Sequence, residues 1–270
     1  MQQTRLMTLL SDFGEQDVYV GVMKGAIAQI DPTLTVIDLT HAIPPQAILQ
    51  ARFALQSAFP YFPAGTVHVA VVDPGVGSDR RGIAVAVGHQ PTHPQGYLVG
   101  PDNGLFSGIW AEWPILASVE LDRPQFWRSP HPSPTFHGRD IFAPVGAHLA
   151  SGIDLKAVGT PIAPASLVQA SLPPLHQSPE GIQGHIQASD RFGNLITTIP
   201  ATALQERSWA IQVGADLVPG QQTYGDRPSG SVVALIGSHG WVEIAVNQGN
   251  AATHLQLQIG DPVHLLWVNA

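Results

Sequence analysis

Residues 66–73 read TVHVAVVD, a nearly unbroken run of β-branched and small apolar side chains that stops on a carboxylate. An uninterrupted apolar run closed by Pro74 is the pattern of a strand buried on both faces. LTVIDLT (34–40) and LMTLLS (6–11) upstream have the same character, and the intervening stretches VYVGVMKGAIAQI (18–30) and QAILQARFALQSAF (46–59) carry helical periodicity. The order βαβαβ predicts an α/β fold with a mostly parallel sheet flanked by helices. Ligands of such sheets gather beyond the carboxyl ends of the strands. Here those ends carry Ser11-Asp12, Asp38 and Asp73.

The pattern changes downstream. TPIAPASLVQASLPPLHQSPEG (160–181) has five prolines and no periodicity, the mark of a linker. After it, GIQGHIQASD, NLITTIP, SWAIQVG, SVVALIG, WVEIAVN and PVHLLWV are short, rich in β-branched residues and separated by turn residues. They predict a small antiparallel sheet or barrel. The expected organisation is an α/β domain over 1–170, a Pro-rich linker over 171–181 and a β-barrel domain over 182–270.

Composition narrows the function classes. Twelve Lys plus Arg against 20 Asp plus Glu give a formal charge of −8, so there is no basic field for nucleic acid or anionic lipid. The chain has no cysteine, which removes disulfides, thiolate nucleophiles and Cys-based zinc sites. The apolar stretch Leu6–Leu10 is too short for a signal-peptide core, and no run reaches the ~18 apolar residues of a membrane span. A cytoplasmic protein with no nucleic-acid or membrane partner is expected. Only 12% of residues are charged, a composition that suits an oligomer.

Four stretches concentrate chemistry. VVDPGVGSDRR (71–81) lacks both the P-loop ending and the three-glycine dinucleotide spacing. It offers a carboxylate at a strand end, Gly75 and Gly77 for close backbone approach, and guanidinium seven residues on, so that Arg80 can fold back to Asp73; a plain surface turn fits the same letters. In PTFHGRDIFAP (134–144), His137 stands where a helix begins, and the helix dipole there favours the neutral ring. It is alternatively a capping or core histidine, or one ligand of a metal with Asp140 at i, i+3, though no second histidine pair supports a metal. SDFGEQDVYVGVMKG (11–25) places Asp12 and Asp17 after the first strand, where they suit vicinal hydroxyls, an ammonium group or a helix cap. In SDRFGNLITTIP (189–200), Asp190 and Asn194 flank a Phe-Gly turn; Asn194 could read an adenine edge or occupy a left-handed turn position.

In sequence order, SDFG, VVDPGVG with its two arginines, GPDNGLF, TFHGRDIFAP, DRFGN and GSHGWVEIAVNQGNAA resemble the S-adenosyl-L-methionine (SAM) hydroxide adenosyltransferase family, relatives of the fluorinating and chlorinating enzymes. The resemblance spans nearly the whole chain. It implies an α/β domain, a C-terminal β-barrel, and a homotrimer with active sites between the N-domain of one subunit and the C-domain of its neighbour. It also implies attack of water on the ribose C5′ of SAM, giving adenosine and methionine, with SAM as substrate and neither cofactor nor metal.

By the same resemblance Asp73, Arg80 and His137 hold the water, with Arg81 as the alternative to Arg80. Asp12 goes to the ribose hydroxyls, Asp17 to the methionine ammonium, Phe136 to packing near the ribose, Gly138 to the substrate-binding set, and Asp190 and Asn194 to the methionine and adenine ends. Ser238 and His239 stand where the family contacts the methionine carboxylate, although fluorinating relatives have arginine at the second position. Halogenating relatives resemble an uncharged residue at Asp73, tyrosine at His137 and, in the fluorinating branch, serine at Gly138. A lone carboxylate would repel a halide by about 4 kcal/mol at ~4 Å and an effective dielectric of ~20, which favours hydroxide transfer. A non-catalytic adenosine- or SAM-binding protein and a SAM-dependent halogenase are the competing expectations.

Overall fold

A computed structural model describes residues 4–170, 172–205 and 207–268. The chain divides after Ala170 into two compact units. In the first, β1 (Leu6–Ser11), α1 (Tyr19–Ile30), β2 (Thr35–Thr40), α2 (Ile48–Ala58) and β3 (Thr66–Val71) realise the expected βαβαβ order. The sheet then continues through β4 (Gly82–Val87), β5 (Gly96–Pro101), the short helix α3 (Ser107–Trp110), β6 (Ile115–Glu120), helix α4 (Ala143–Ala150) and β7 (Thr160–Pro161).

The strand order is β2-β1-β3-β5-β4-β6-β7. Pairing is parallel from β2 to β5 and antiparallel from there to β7. All six residues of β3 are buried, because helices cover both sheet faces. Met7, Leu9, Val67, Val69 and Val71 point to the side of α1 and α4, whereas Leu10, Ala70 and Val72 point to the side of α2 and Phe59. That alternation is the period of two expected of strands. Thr8 Oγ1 and His68 Nδ1, buried within the sheet, pair at 2.8 Å, and burial pushes the His68 pKa down to about 3.

From β1 the chain moves outward to β2 on one side and returns through α2 to β3 on the other. This reversal puts a crevice beyond the carboxyl ends of β1 and β3, where Asp12 and Asp73 lie.

The second unit contains β8 (His176–Gln177), β9 (Gly181–Ser189), β10 (Leu195–Pro200), β11 (Trp209–Val213), β12 (Asp216–Gln221), β13 (Val232–Ile236), β14 (Trp241–Val246), helix α5 (Ala251–Leu255) and β15 (Pro262–Trp267). Pairing runs β10-β14-β13-β12-β11-β15-β9, and β9 pairs with β10 to close a barrel. Closure removes the exposed sheet edges. The expectation of an antiparallel sheet needs one amendment, since β12 and β13 pair in parallel. β8, inside the Pro-rich stretch, adds to the outside of β9.

Candidate active site

Three segments far apart in sequence meet at the crevice. Asp73 follows the buried strand β3, and its side chain is only 5% exposed. The loop after it doubles back so that Arg80 Nε donates to Asp73 Oδ1 at 2.9 Å and Oδ2 at 3.1 Å, with Nη2 also on Oδ2. Arg80 Nη2 lies 2.8 Å from His137 Nδ1, and its guanidinium stacks 5.1 Å above the Phe142 ring. One residue accordingly bridges the carboxylate and the imidazole.

Local sequence explains the convergence. Gly77 has φ +78, and a Cβ there would stand 2.3 Å from the Pro134 carbonyl oxygen. Only glycine lets the 74–81 loop lie against the segment that carries His137. The GPDNGLF motif braces the loop from the other side. Asn103 Nδ2 donates to the Val72 carbonyl at 2.8 Å, and Asp102 accepts from Arg81 Nε at 3.0 Å. Arg81 also reaches the Ser166 hydroxyl at 3.0 Å. Arg81 is thus a structural tie, and Arg80 is the arginine that meets Asp73.

His137 precedes a π-helical turn, Gly138–Phe142, that leads into α4, a distortion often associated with functional sites. Its pKa is lowered, first by burial and then by the Arg80 guanidinium, with Asp73 and Asp140 pulling the other way. Because a guanidinium has no acceptor, His137 Nδ1 must accept from Arg80. The ring is therefore neutral, with its proton on Nε2. The pairing of His137 with Asp140 on a metal is not realised: Asp140 accepts from Arg139 Nε and Nη2, each at 2.7 Å, and from the Ser133 N–H at 2.8 Å. Among the described residues no group of three or more His, Cys, Asp or Glu side chains has a metal-site arrangement.

A cavity of about 430 Å³ opens here, lined by Asp12, Phe13, Tyr19, Gln46, Asp73, Thr135, Phe136, His137 and Gly138 among others. Asp12 Oδ2 accepts from the Gln46 N–H at 2.8 Å. The rings of Phe13, Tyr19 and Phe136 pack mutually edge-on or tilted at 5.2 to 5.8 Å, and Arg139 covers Phe136 at 5.0 Å. A Cβ on Gly138 would come within 3.3 Å of both Met23 Sδ and the Phe13 ring, so a serine there would press on the wall. Asp17 is exposed and outside the lining. It does not cap α1 either, whose N-cap is Val18 without a side-chain bond.

The second unit has its own cavity of about 690 Å³, lined by Asp190, Phe192, Asn194, Tyr224, Val246, Gln248, Gly249 and Asn250. Asp190 organises the turn: it accepts from the Phe192 and Asn194 N–H groups, both at 2.9 Å, and from Asn194 Nδ2 at 3.0 Å. Asn194's amide is thereby oriented, with its oxygen and one N–H remaining for a ligand. The left-handed turn position belongs to Gly193, φ +81, not to Asn194. Tyr224 donates to buried Glu243 at 2.7 Å, and its pKa is raised to about 12 by burial and then by Glu243.

Ser238 is exposed and lies with His239 in the β13–β14 turn, outside this lining. His239 Nδ1 accepts from the Trp241 N–H at 3.2 Å and Nε2 lies 3.1 Å from Glu243 Oε2. Both ring nitrogens are engaged. Several lining residues are not singled out from the sequence: Phe13 lies inside SDFG, Tyr19 in the stretch that follows it and Phe192 inside DRFGN, while Gln46 and Tyr224 fall outside every motif quoted above.

An α/β unit with a carboxylate–guanidinium–imidazole cluster at its strand ends, followed by a closed β-barrel with a separate cavity, defines the two-domain class. The chain belongs to the SAM hydroxide adenosyltransferase family: its N-terminal domain model matches residues 7–159 and its C-terminal domain model residues 184–264. The chain is 41% identical over 272 residues to a Thermus thermophilus protein called (R)-S-adenosyl-L-methionine hydrolase, covering 97% of this chain and 100% of that one. It is 26% identical to an Actinopolyspora mzabensis fluorinase, with 96% of each chain covered. A crystal structure of an uncharacterized conserved protein from Thermotoga maritima superposes with a TM-score of 0.88 at 32% identity, covering 96% of this chain and 99% of that one.

Proposed function

We propose that this protein hydrolyses SAM to adenosine and L-methionine with a water held by Asp73, Arg80 and His137. The observation that carries the proposal is the bonding of those three side chains into one cluster at the strand ends. Water oxygen attacks C5′ as the C5′–S bond breaks, and the bonding pair leaves with sulfur as a neutral thioether. A sulfonium needs no acid to depart, so the chemistry draws on no metal or cofactor; the protein supplies orientation and dehydration. His137, protonated on Nε2, donates to the water oxygen and orients a lone pair. Asp73 accepts the proton that the attacking water sheds and passes it to solvent, while Arg80 fixes both partners.

Asp73 is neutralised by Arg80, so repulsion of a halide is weaker than for a lone carboxylate. The steric closeness around Gly138 and the acceptor character of Asp73 are what disfavour halide. Asp12 binds the ribose hydroxyls beside Phe136, and Asp17 takes the methionine ammonium. Asp190 and Asn194 with Phe192 hold the nucleoside, and Ser238 and His239 face the methionine carboxylate. His239 meets that carboxylate only by exchanging its Glu243 contact.

The same proposal includes a cytoplasmic homotrimer whose sites combine the first unit of one subunit with the second unit of a neighbour. Val18, 73% exposed near the first cavity, and Phe192, 74% exposed at the second, support a further surface over each. The test mixes Asp73→Asn, inactive in the reaction, with Phe192→Ala, assayed at SAM well below its raised KM, where it turns over slowly. Sites shared between subunits regain SAM turnover on subunit exchange, with adenosine and methionine in equal amounts. No regain, with monomeric light scattering, refutes the assembly, and absence of adenosine from wild-type protein refutes the reaction.

A further inference from the structure

A Ser-His-Asp series lies beside the cavity without serving as a nucleophile. Ser11, the last residue of β1, is fully buried, so no substrate reaches its hydroxyl. Its Oγ is 2.7 Å from His41 Nδ1 and also accepts from the Phe13 N–H at 3.3 Å. His41 Nε2 lies 3.1 Å from Asp38 Oδ1, within ion-pair range though off the line of a good hydrogen bond. Asp38 Oδ2 is in turn paired with Lys24 of α1 at 2.5 Å. Burial would raise the Asp38 pKa, but Lys24 and His41 together hold it below its ordinary value. The His41 carbonyl accepts from the Gly14 N–H at 2.8 Å, so ring and backbone of one residue grip both ends of the 11–14 turn. Asp12 and Phe13, the two residues between those grips, both line the cavity.

We infer that His41, with Ser11 and Asp38, is a positioning relay that sets Asp12 and Phe13 for substrate binding in the reaction proposed above. The serine hydroxyl donates to His41 and accepts from Phe13, fixing the turn that aims the Asp12 carboxylate. Lys24 and Asp38 anchor the ring from the far side. The relay acts on ground-state binding and leaves the Asp73–Arg80–His137 cluster as it is.

The test is a coupling measurement. Ser11→Ala removes only the hydroxyl, and KM for SAM and the adenosine dissociation constant both rise about 10-fold, the scale of one buried hydrogen bond, while kcat stays within about 2-fold. In an Asp12→Ala background the same change adds less than about 2-fold, since the group being positioned is gone. Asp38→Asn, at a side chain 38% exposed, weakens the relay from its outer end and shifts both constants the same way by ~3-fold; it serves if Ser11→Ala does not fold. An equal factor in both backgrounds, a loss of kcat at unchanged KM, or a lower Tm with unchanged adenosine affinity overturns the relay. Adenosine affinity needs no turnover, so wild-type protein that binds adenosine but leaves SAM intact refutes the hydrolase reading and still allows the relay to be judged.

Discussion

Arg80→Lys tests how the cluster is wired. Lysine keeps the positive charge beside Asp73, whose side chain is 5% exposed, so no buried carboxylate is left unpaired. What it loses is the fork. Arg80 meets both carboxylate oxygens and His137 Nδ1 at once, and a single ammonium that stays on the carboxylate cannot reproduce that geometry. Losing one hydrogen bond from a charged donor costs about 1.5–3 kcal/mol, or about 10- to 150-fold in rate if the bond matters only in the transition state. Releasing Nδ1 also frees the ring to place its proton there, leaving Nε2 without a hydrogen for the water.

The assay is kcat for SAM against pH, with adenosine affinity measured in parallel. Burial and Arg80 hold the His137 pKa below its ordinary value, so the neutral ring persists in the wild-type protein to acidic pH. Without the donor on Nδ1 the pKa rises, and activity in the variant is lost at a higher pH as the ring protonates. Adenosine affinity stays within about 2-fold, because nucleoside binding relies on other groups. A kcat within about 3-fold of wild type, or a parallel loss of adenosine binding, refutes the role given to the fork.

Three further outcomes follow from other parts of the fold. Gly77→Ala combines a left-handed backbone with a Cβ only 2.3 Å from the Pro134 carbonyl oxygen; it lowers stability by more than ~1 kcal/mol in urea titrations and reduces kcat through separation of the loops. Phe192→Ala weakens adenosine binding by about 10-fold or more, the worth of a base–aromatic stack, with kcat at saturation changed less; unchanged calorimetric affinity counts against the second cavity as a nucleoside site. His68, with its pKa depressed from 6.5 to about 3, binds its proton in the unfolded chain first. Its contribution is present above pH 6.5 and is lost as pH falls toward 3, by roughly 1.4 kcal/mol per pH unit well inside that window. His68→Gln flattens this acid dependence of the urea midpoint, and an unchanged slope contradicts it.

What the sequence made legible depends on the range of the interactions. The βαβαβ order and the carboxylates at strand ends follow from local periodicity, and the reversal between β1 and β3 then places Asp12 and Asp73 together. Arg80 rather than Arg81 was not decidable from adjacent letters, because the choice is made by Asp102 and Ser166, distant partners that capture Arg81. Gln46, at φ +65, carries no glycine-like signal although its N–H holds Asp12. The antiparallel strands β4, β6 and β7 and the parallel β12–β13 pair are set by long-range pairing that periodicity does not encode. Asp17 has the composition of a cap but misses the geometry by one residue, since the helix takes Val18 as its N-cap.

A single turnover in heavy-oxygen water, with enzyme in excess over SAM, is the most direct measurement. If water held by Asp73, Arg80 and His137 attacks C5′, the first adenosine formed carries the heavy oxygen in its 5′-hydroxyl in full. Unlabelled first-turnover adenosine, with the label arriving only in later cycles, would mean that a carboxylate oxygen attacked carbon, and would contradict the mechanism.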